Sequence, residues 1–222
     1  MTEIGKRIDK TREGQILFIS DFSGINDNEK VVSRALSVEE KRGNVVRLAN
    51  GMYLRPKKTR FGIVYPSVDE MVKAIAQRDK VQVQPCGATA LNKLGLSTQV
   101  PTKYTYLTSG SGRTITIGNR IIEMKRSVPK NFAFKTVLAS LLVQALKATG
   151  QDNVGEKELA VIRQLVRNEQ RIDLFMQDLA LMPVWIRKMI VVIIKNNGHH
   201  DTLDKAYEKA GASSCPYVPA SV

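Results

Sequence analysis

The sequence is poor in cysteine and histidine, with two of each among 222 residues. Cys86 and Cys215 lie far apart without C-x-x-C spacing, which argues against a disulfide framework and against a cysteine-ligated zinc. His199 and His200 are adjacent, so their side chains point apart, and no third ligand is spaced to join them. We therefore predict no metal site, no cofactor and no catalytic set of the Ser/His/Asp or Cys/His type.

Long apolar runs are also missing. The most apolar stretch, residues 181–194, is 14 residues long and contains Arg187 and Lys188, so it is too short and too charged to span a bilayer. Residues 1–14 lack the apolar segment of a secretory signal. These absences predict a soluble, cytoplasmic protein with no membrane partner.

Acidic residues are outnumbered, since 34 Lys and Arg stand against 21 Asp and Glu, for a net charge of +13. The excess is uneven: residues 1–60 carry +5, residues 61–132 carry +6 and residues 133–222 carry only +2. Such an excess favours a polyanionic partner, with nucleic acid first. Ribosomal association or an acidic protein partner would also account for the charge.

The pattern of apolar residues predicts an α+β protein with a small N-terminal domain and a larger C-terminal one. We place the boundary at the basic segment RPKKTR, residues 55–60. The predicted domains are a winged helix-turn-helix over residues 1–60 and a larger α+β domain over 61–222, mixed α/β over 61–132 and mostly helical over 133–210.

A helix predicted over residues 28–42 has two distinct faces, and Asn26 and Asp27 are its predicted caps. Val32, Ala35 and Leu36 have the i, i+3, i+4 spacing of a buried stripe. The opposite face presents a short, polar and cationic set: Lys30, Ser33, Arg34, Ser37 and Lys41.

A hairpin follows this helix, centred on Asn50-Gly51. This dipeptide predicts a two-residue type I′ turn, in which both residues have positive φ. In a winged helix, such a helix reads base edges in the major groove while the hairpin meets the backbone or minor groove. A plain amphipathic helix beside an exposed hairpin, or a protein-docking winged helix, is the alternative.

The winged-helix interpretation assigns a role to each polar side chain of the segment. Arg34 is predicted to donate to guanine O6 and N7, and Ser33 or Ser37 to bases or phosphates. The predicted DNA-binding set is completed by Lys30 and Asn50 and by the phosphate contacts Lys41, Arg42, Arg47, Arg55, Lys57 and Lys58.

Four further motifs have local interpretations. Ser67 and Glu70 form a predicted capping box, and Gly118-Asn119 predicts a second hairpin. The segment LTSGSGRT (107–114) lacks the P-loop pattern and is predicted to be a hairpin turn. An apolar stripe from Trp185 to Ile194 is predicted to pack in the core, with a partner-binding groove as the alternative.

The order of motifs resembles that of the AbiEi-like antitoxins, the transcriptional regulators of type IV toxin–antitoxin systems. The most specific pieces are QPCGATALNKLGLSTQVP (84–101) and YLTSGSGRTITIGNR (106–120), and the likeness covers residues 2–150. The resemblance implies an autorepressor that binds inverted repeats in double-stranded DNA upstream of its own operon. It also implies an antitoxin that counters a cognate nucleotidyltransferase-like toxin, functionally rather than through a required stable complex.

By this resemblance, Ser33, Arg34 and Ser37 match the recognition helix, and Arg47, Asn50 and Gly51 match the wing. The family usually has an apolar residue where Glu39 stands, which predicts a shorter or rotated helix end with Val38 as compensation. Two other functions stay open: an RNA-binding or ribosome-associated basic protein without catalytic activity, and a nucleotide-dependent enzyme built on residues 109–112.

Overall fold

The computed structural model describes residues 2–196, and over this range the chain is an α+β protein. His199, His200, Cys215 and the tail after Gly211 lie outside the described residues. Among residues 2–196, no helix has the length and apolar character needed to cross a membrane. Within the described residues the chain divides into two compact units, the first formed by residues 2–81 and 113–123, the second by residues 82–112 and 124–196. The boundary predicted after residue 60 lies inside the first unit.

The first stretch of chain, up to residue 81, contains three helices and five strands. They are α1 Glu3–Lys10, β1 Ile16–Phe18, a 3₁₀ turn Ile19–Phe22, α2 Glu29–Lys41, β2 Val46–Ala49, β3 Met52–Leu54, β4 Lys57–Thr59, β5 Gly62–Val64 and α3 Val68–Asp79.

The rest of the described chain has four strands followed by mostly helical structure. In order, these elements are β6 Val83–Pro85, α4 Gly87–Lys93, β7 Lys103–Thr108, β8 Arg113–Ile117, β9 Arg120–Arg126, α5 Val137–Thr149, α6 Glu156–Arg167, α7 Ile172–Asp178 and α8 Val184–Asn196. Strand β8 and the first part of β9 belong to the first unit.

The N-terminal sheet has the strand order β1-β3-β2, and both pairings are antiparallel. All three residues of the central strand β3 are buried, because the helices of this unit cover the sheet. The small core beneath it consists of side chains from α1, α2, the sheet and the 3₁₀ turn: Ile4, Ile8, Leu17, Phe22, Val32, Leu36, Val45 and Tyr53. Apolar spacing in α2 therefore predicts its buried face correctly.

A second hairpin follows directly, at the segment where the sequence predicts a domain boundary. Strand β4 pairs with β5 in an isolated two-stranded sheet, with Lys57 opposite Val64 and Thr59 opposite Gly62. Lys57 and Lys58 are therefore on a strand. The sequence gives little sign of it, because β4 is polar throughout and shows no alternation.

The capping box predicted at the start of α3 is confirmed. The backbone N–H of Ser67 donates to Glu70 Oε2 at 2.7 Å, and the backbone N–H of Glu70 donates to Ser67 Oγ at 3.2 Å. The hydrogen bonds from the backbone and then the hydroxyl of Ser67 lower the pKa of the Glu70 carboxyl. The Ser and Glu three residues apart are thus sufficient to predict this capping box.

The strand order β6-β7-β9-β8 corrects the prediction for residues 107–114. Strand β9, and not β8, lies beside β7, so the Gly/Ser segment is a connection and not a hairpin turn. A Cβ at Gly112 would lie 3.2 Å from the carbonyl oxygen of Met124, which explains a glycine where this connection passes β9. The hairpin predicted at Gly118-Asn119 is confirmed between β8 and β9, with positive φ at Gly118 (56°).

The second unit has the larger core, built from α4 to α8. The α8 stripe packs into it, as predicted: Ile186, Ile190, Ile193 and Ile194 are buried, and Trp185 and Met189 pack against them. Helix α7 lies within the region predicted to be mostly helical, and it ends at the buried Asp178. The carboxylate of Asp178 accepts hydrogen bonds from the backbone N–H groups of Lys135 and Thr136, both at 2.8 Å, and so anchors the start of α5.

Candidate nucleic-acid interface

The N-cap of helix α2 lies one residue beyond the predicted caps Asn26 and Asp27, and the helix begins at Glu29. Asn28 is the N-cap, because its Oδ1 accepts a hydrogen bond from the backbone N–H of Lys30 at 3.1 Å. Asn26 lies before the helix, and its Oδ1 accepts a hydrogen bond from the backbone N–H of Asn28 at 2.8 Å. The first-turn Glu29 complements the helix dipole. This start is fixed by side chains and not by packing, which leaves the first turn exposed.

The polar stripe of α2 lies on the surface, where the spacing predicts it. Lys30, Arg34 and Lys41 are exposed, while Ser33 and Ser37 are half-buried. The Ser37 hydroxyl donates to the backbone oxygen of Ser33 at 3.0 Å, so its proton is already engaged within the helix. Arg34 and Lys30 are therefore the stronger free-standing donors of this stripe.

Glu39 is buried at 3% exposure and does not shorten the helix, which runs through Lys41. Its carboxylate accepts from Arg42 Nη1 at 2.9 Å and from Asn44 Nδ2 at 2.7 Å. These bonds offset the cost of burying a charge. Val38 is 47% exposed and does not compensate, contrary to the prediction. Arg42 is partly committed to Glu39 instead of facing solvent with all its donors.

The Asn50-Gly51 turn joins β2 and β3 in two residues, but it is not type I′. Gly51 has positive φ (71°) while Asn50 does not, and the register shifts by one residue between Arg47 and Ala49. This bulge adds twist and removes the need for two left-handed residues. Arg47 Nη2 donates to Asn50 Oδ1 at 3.3 Å, so both exposed side chains of the turn are held together.

Arg55 has a structural partner. Its Nη1 donates to Asp9 Oδ1 at 3.1 Å, and its backbone bonds to Gly14 and Gln15. Only 21% of its side chain is exposed. This arginine ties α1 to the end of β3, which makes it the weakest of the predicted phosphate contacts. Lys57 and Lys58, in contrast, are fully on the surface of β4.

An open cleft of about 820 Å³ brings some of these residues together. It is lined by the acidic Glu29 and by Lys30, Ser33 and Arg34 from α2, and by Asn50 and Gly51 from the turn. The remaining predicted residues do not line it: Ser37, Lys41, Arg42, Arg47, Arg55, Lys57 and Lys58. The first two turns of α2 and the hairpin tip thus share one concave surface.

The far wall of the cleft is the end of α3, which sequence reasoning missed. The Arg78 guanidinium stacks 4.5 Å from the centre of the Phe18 ring, and its Nε donates to Asp79 at 2.7 Å. Asp79 also pairs with Arg113 of β8. Burial raises the pKa of the Asp79 carboxyl, but the hydrogen bonds and charges of Arg78 and Arg113 outweigh it, and the pKa lies below its usual value. The two side chains that line this wall, Arg78 and Asp79, carry opposite charges. No local pattern links residues 79 and 113.

Within the part of the chain that the structure describes, no group of three or more His, Cys, Asp or Glu side chains could hold a metal ion. The buried Asp178 carboxylate has its hydrogen bonds filled by Lys135 and Thr136, which is the environment of a structural group.

The fold and the site define a class: an α+β protein whose first unit combines a short antiparallel sheet with a helix that exposes Lys30, Arg34 and Lys41 on one face. The chain belongs to a protein family of unknown function, DUF6088, whose model matches residues 3–174. The match includes the cleft, all three hairpins and most of the second unit. No curated protein matches the sequence significantly.

Proposed function

We propose that the first unit contains a winged helix-turn-helix and that the protein is a DNA-binding transcriptional autorepressor. The order of elements supports this: a helix, a strand, a short helical turn, a second helix and a two-stranded hairpin, with β3 between β1 and β2. In this proposal α2 is the recognition helix and the Asn50-Gly51 hairpin is the wing.

The observation that carries the proposal is the shared cleft. A recognition helix and a wing act together only if their polar tips face the same ligand, and Lys30, Ser33, Arg34 and Asn50 line one open surface. The cleft is open, and its lining carries a small positive excess, because three basic side chains stand against the acidic Glu29 and Asp79. A phosphate backbone favours such an excess. Asp79 does not oppose this, because two arginines pair with it.

The exposed side chains of α2 and Arg78 have distinct roles in the proposal. Arg34 presents a planar fork of donors that matches guanine O6 and N7, and so reads sequence. Lys30 and Arg78 neutralise phosphates, which sets affinity and salt dependence. Val31 and Val38 are exposed on α2 at 42% and 47%, and they offer apolar contacts to thymine methyl groups.

The antitoxin part of the proposal rests on the resemblance of residues 84–101 and 106–120 to the AbiEi-like family. In it, the cognate toxin is a nucleotidyltransferase-like protein and this chain supplies no catalytic group. Co-expression with the product of a neighbouring nucleotidyltransferase-like gene tests it, and we expect growth to be restored. Growth that stays arrested counts against the antitoxin role and leaves DNA binding untouched.

DNA binding is tested by fluorescence anisotropy with a duplex from upstream of the protein's own gene and a scrambled duplex of equal length. We expect Arg34→Ala to weaken binding to the upstream duplex by about tenfold or more, since a bidentate arginine–guanine contact contributes about 1–3 kcal/mol. Arg167→Ala, an exposed arginine on α6, is the matched control and should bind like the parent protein.

The outcome that contradicts the proposal is equal affinity for the two duplexes, unaffected by Arg34→Ala. Tighter binding of transfer RNA than of either duplex would favour the RNA-binding alternative instead.

A further inference from the structure

The hairpin formed by β4 and β5, residues 57–64, carries an unusual set of exposed side chains, and we call it the arm. Phe61 at its tip is 86% exposed, and the following Ile63, Val64 and Tyr65 are 37%, 49% and 56% exposed. Folded proteins rarely leave a continuous run of large apolar residues in water unless the run binds something. A two-stranded hairpin alone is also only marginally stable in water, so a partner would stabilise it.

Charge identifies the kind of partner. Lys57, Lys58 and Arg60 lie on the arm, and the segment from residue 55 to residue 66 contains no acidic residue. Two arms from two copies of the chain would bring these like charges together, which disfavours self-association through the arm. A polyanion, in contrast, complements the basic strand and leaves the apolar strand free to contact less polar surface.

The tip has the chemistry of a groove-binding element. The Arg60 guanidinium stacks 4.6 Å from the centre of the Phe61 ring, which makes a flat unit that is both cationic and apolar. Gly62 has φ of 112°, which lets the chain reverse directly after Phe61. A two-stranded ribbon is narrow enough to enter a DNA groove, and groove-binding proteins insert arginine and apolar wedges beside base steps.

We propose that the arm is a second contact to duplex DNA, in which Lys57 and Lys58 bind phosphates and the Arg60–Phe61 tip enters a groove with the Phe61 ring against the bases. The inference rests on the proposed function, because it assigns a further contact to the same partner. The Phe61 ring would add a contact that salt does not screen, in addition to the charged contacts made by α2.

The test is anisotropy titration with the upstream duplex at several salt concentrations, for the full chain and its variants. Phe61→Ala should weaken binding roughly five- to tenfold at every salt concentration, because the lost contact is apolar. Phe61→Tyr keeps the ring and should restore most of the affinity. The double variant Lys57→Ala/Lys58→Ala should instead reduce the slope of log affinity against log salt by about 2, since each phosphate contact contributes about 0.9.

Matched controls lie on the second unit. Val100→Ala removes another exposed apolar side chain (74%), and Lys147→Ala/Lys157→Ala removes two exposed lysines from α5 and α6. Both should bind like the parent protein. Because the arm residues are exposed, we expect every variant to keep its circular dichroism spectrum and melting temperature, which separates lost binding from lost folding.

Three results would overturn the inference, each in a different way. If arm variants bind like the parent protein while Arg34→Ala binds weakly, the arm makes no DNA contact and the proposed function stands. If sedimentation shows self-association of the parent protein that Phe61→Ala abolishes, with DNA affinity unchanged, the arm binds a second copy. If the parent protein binds neither duplex, the proposed function and the arm contact fail together.

Discussion

Helices α2 and α8 are each 13 residues long, yet they divide their side chains between core and surface in opposite ways. Helix α8 buries Ile186, Ile190, Val191, Ile193 and Ile194. Helix α2 buries only Val32, Leu36 and Glu39, and one of these is charged. The difference shows that most of α8 serves to fill the core. Helix α2 buries only a narrow apolar stripe, and its basic face stays exposed to solvent.

The largest expected effect on stability comes from a substitution that creates a cavity beneath α8. Ile190 is fully buried, so Ile190→Ala should lower the free energy of unfolding by about 3 kcal/mol, measured by urea denaturation. The control Val192→Ala, on the same helix but 49% exposed, should change it by less than about 0.5 kcal/mol. Equal effects of the two substitutions would show that α8 does not pack as described.

An intermediate effect concerns the buried charge of α2. Glu39→Ala leaves Arg42 and Asn44 without their acceptor, and we expect a loss of about 2 kcal/mol in unfolding free energy. Glu39→Gln keeps one acceptor oxygen and should cost less. Glu40→Ala, the neighbouring position, should cost less than about 0.5 kcal/mol.

Stability that does not change in Glu39→Ala would mean that the hydrogen bonds to Glu39 contribute nothing net. The end of α2 would then be held by the apolar stripe alone, and the contrast with α8 would weaken.

The smallest effect is the pH dependence supplied by Asp79. Its pKa is lower in the folded chain than the usual 3.8, so its stabilising contribution is present above that value and is lost as pH falls through the folded-state pKa. Asp79→Asn should therefore flatten the stability profile below about pH 5, by about 0.5 kcal/mol or less, since the pair is partly exposed.

Urea denaturation at a series of pH values measures this profile, with the exposed Asp27→Asn as its control. A profile for Asp79→Asn that keeps the acid slope of the parent protein would exclude a stabilising role for the pair of arginines around Asp79.

Local chemistry is what the sequence predicts well. The Ser67–Glu70 capping box, the positions of the turns at 50–51 and 118–119, and the buried stripe of α2 all depend on residues within a few positions of one another. The type of the Asn50-Gly51 turn is predicted wrongly, because the bulge in β2 depends on pairing with β3 and not on the dipeptide.

Contacts between residues that are far apart in the sequence could not be predicted from it. Asp9 and Arg55 are 46 positions apart, and Asp79 and Arg113 are 34 apart, so no spacing rule connects them. Strand order fails for the same reason: β7 and β8 are neighbours in sequence, but β9 takes the place beside β7. The cleft wall at Arg78 is missed because it depends on this long-range arrangement.

The discontinuity of the first unit has a practical consequence for anyone who wants to study it alone. Its chain leaves at Val81 and returns only at Arg113, so a single cut near residue 60 would yield a fragment without Arg78, Asp79 and Arg113. Such a fragment would lack one side of the cleft and the packing partner of the Phe18 ring. A faithful isolated version needs residues 1–81 rejoined to 113–123 by a short flexible tether.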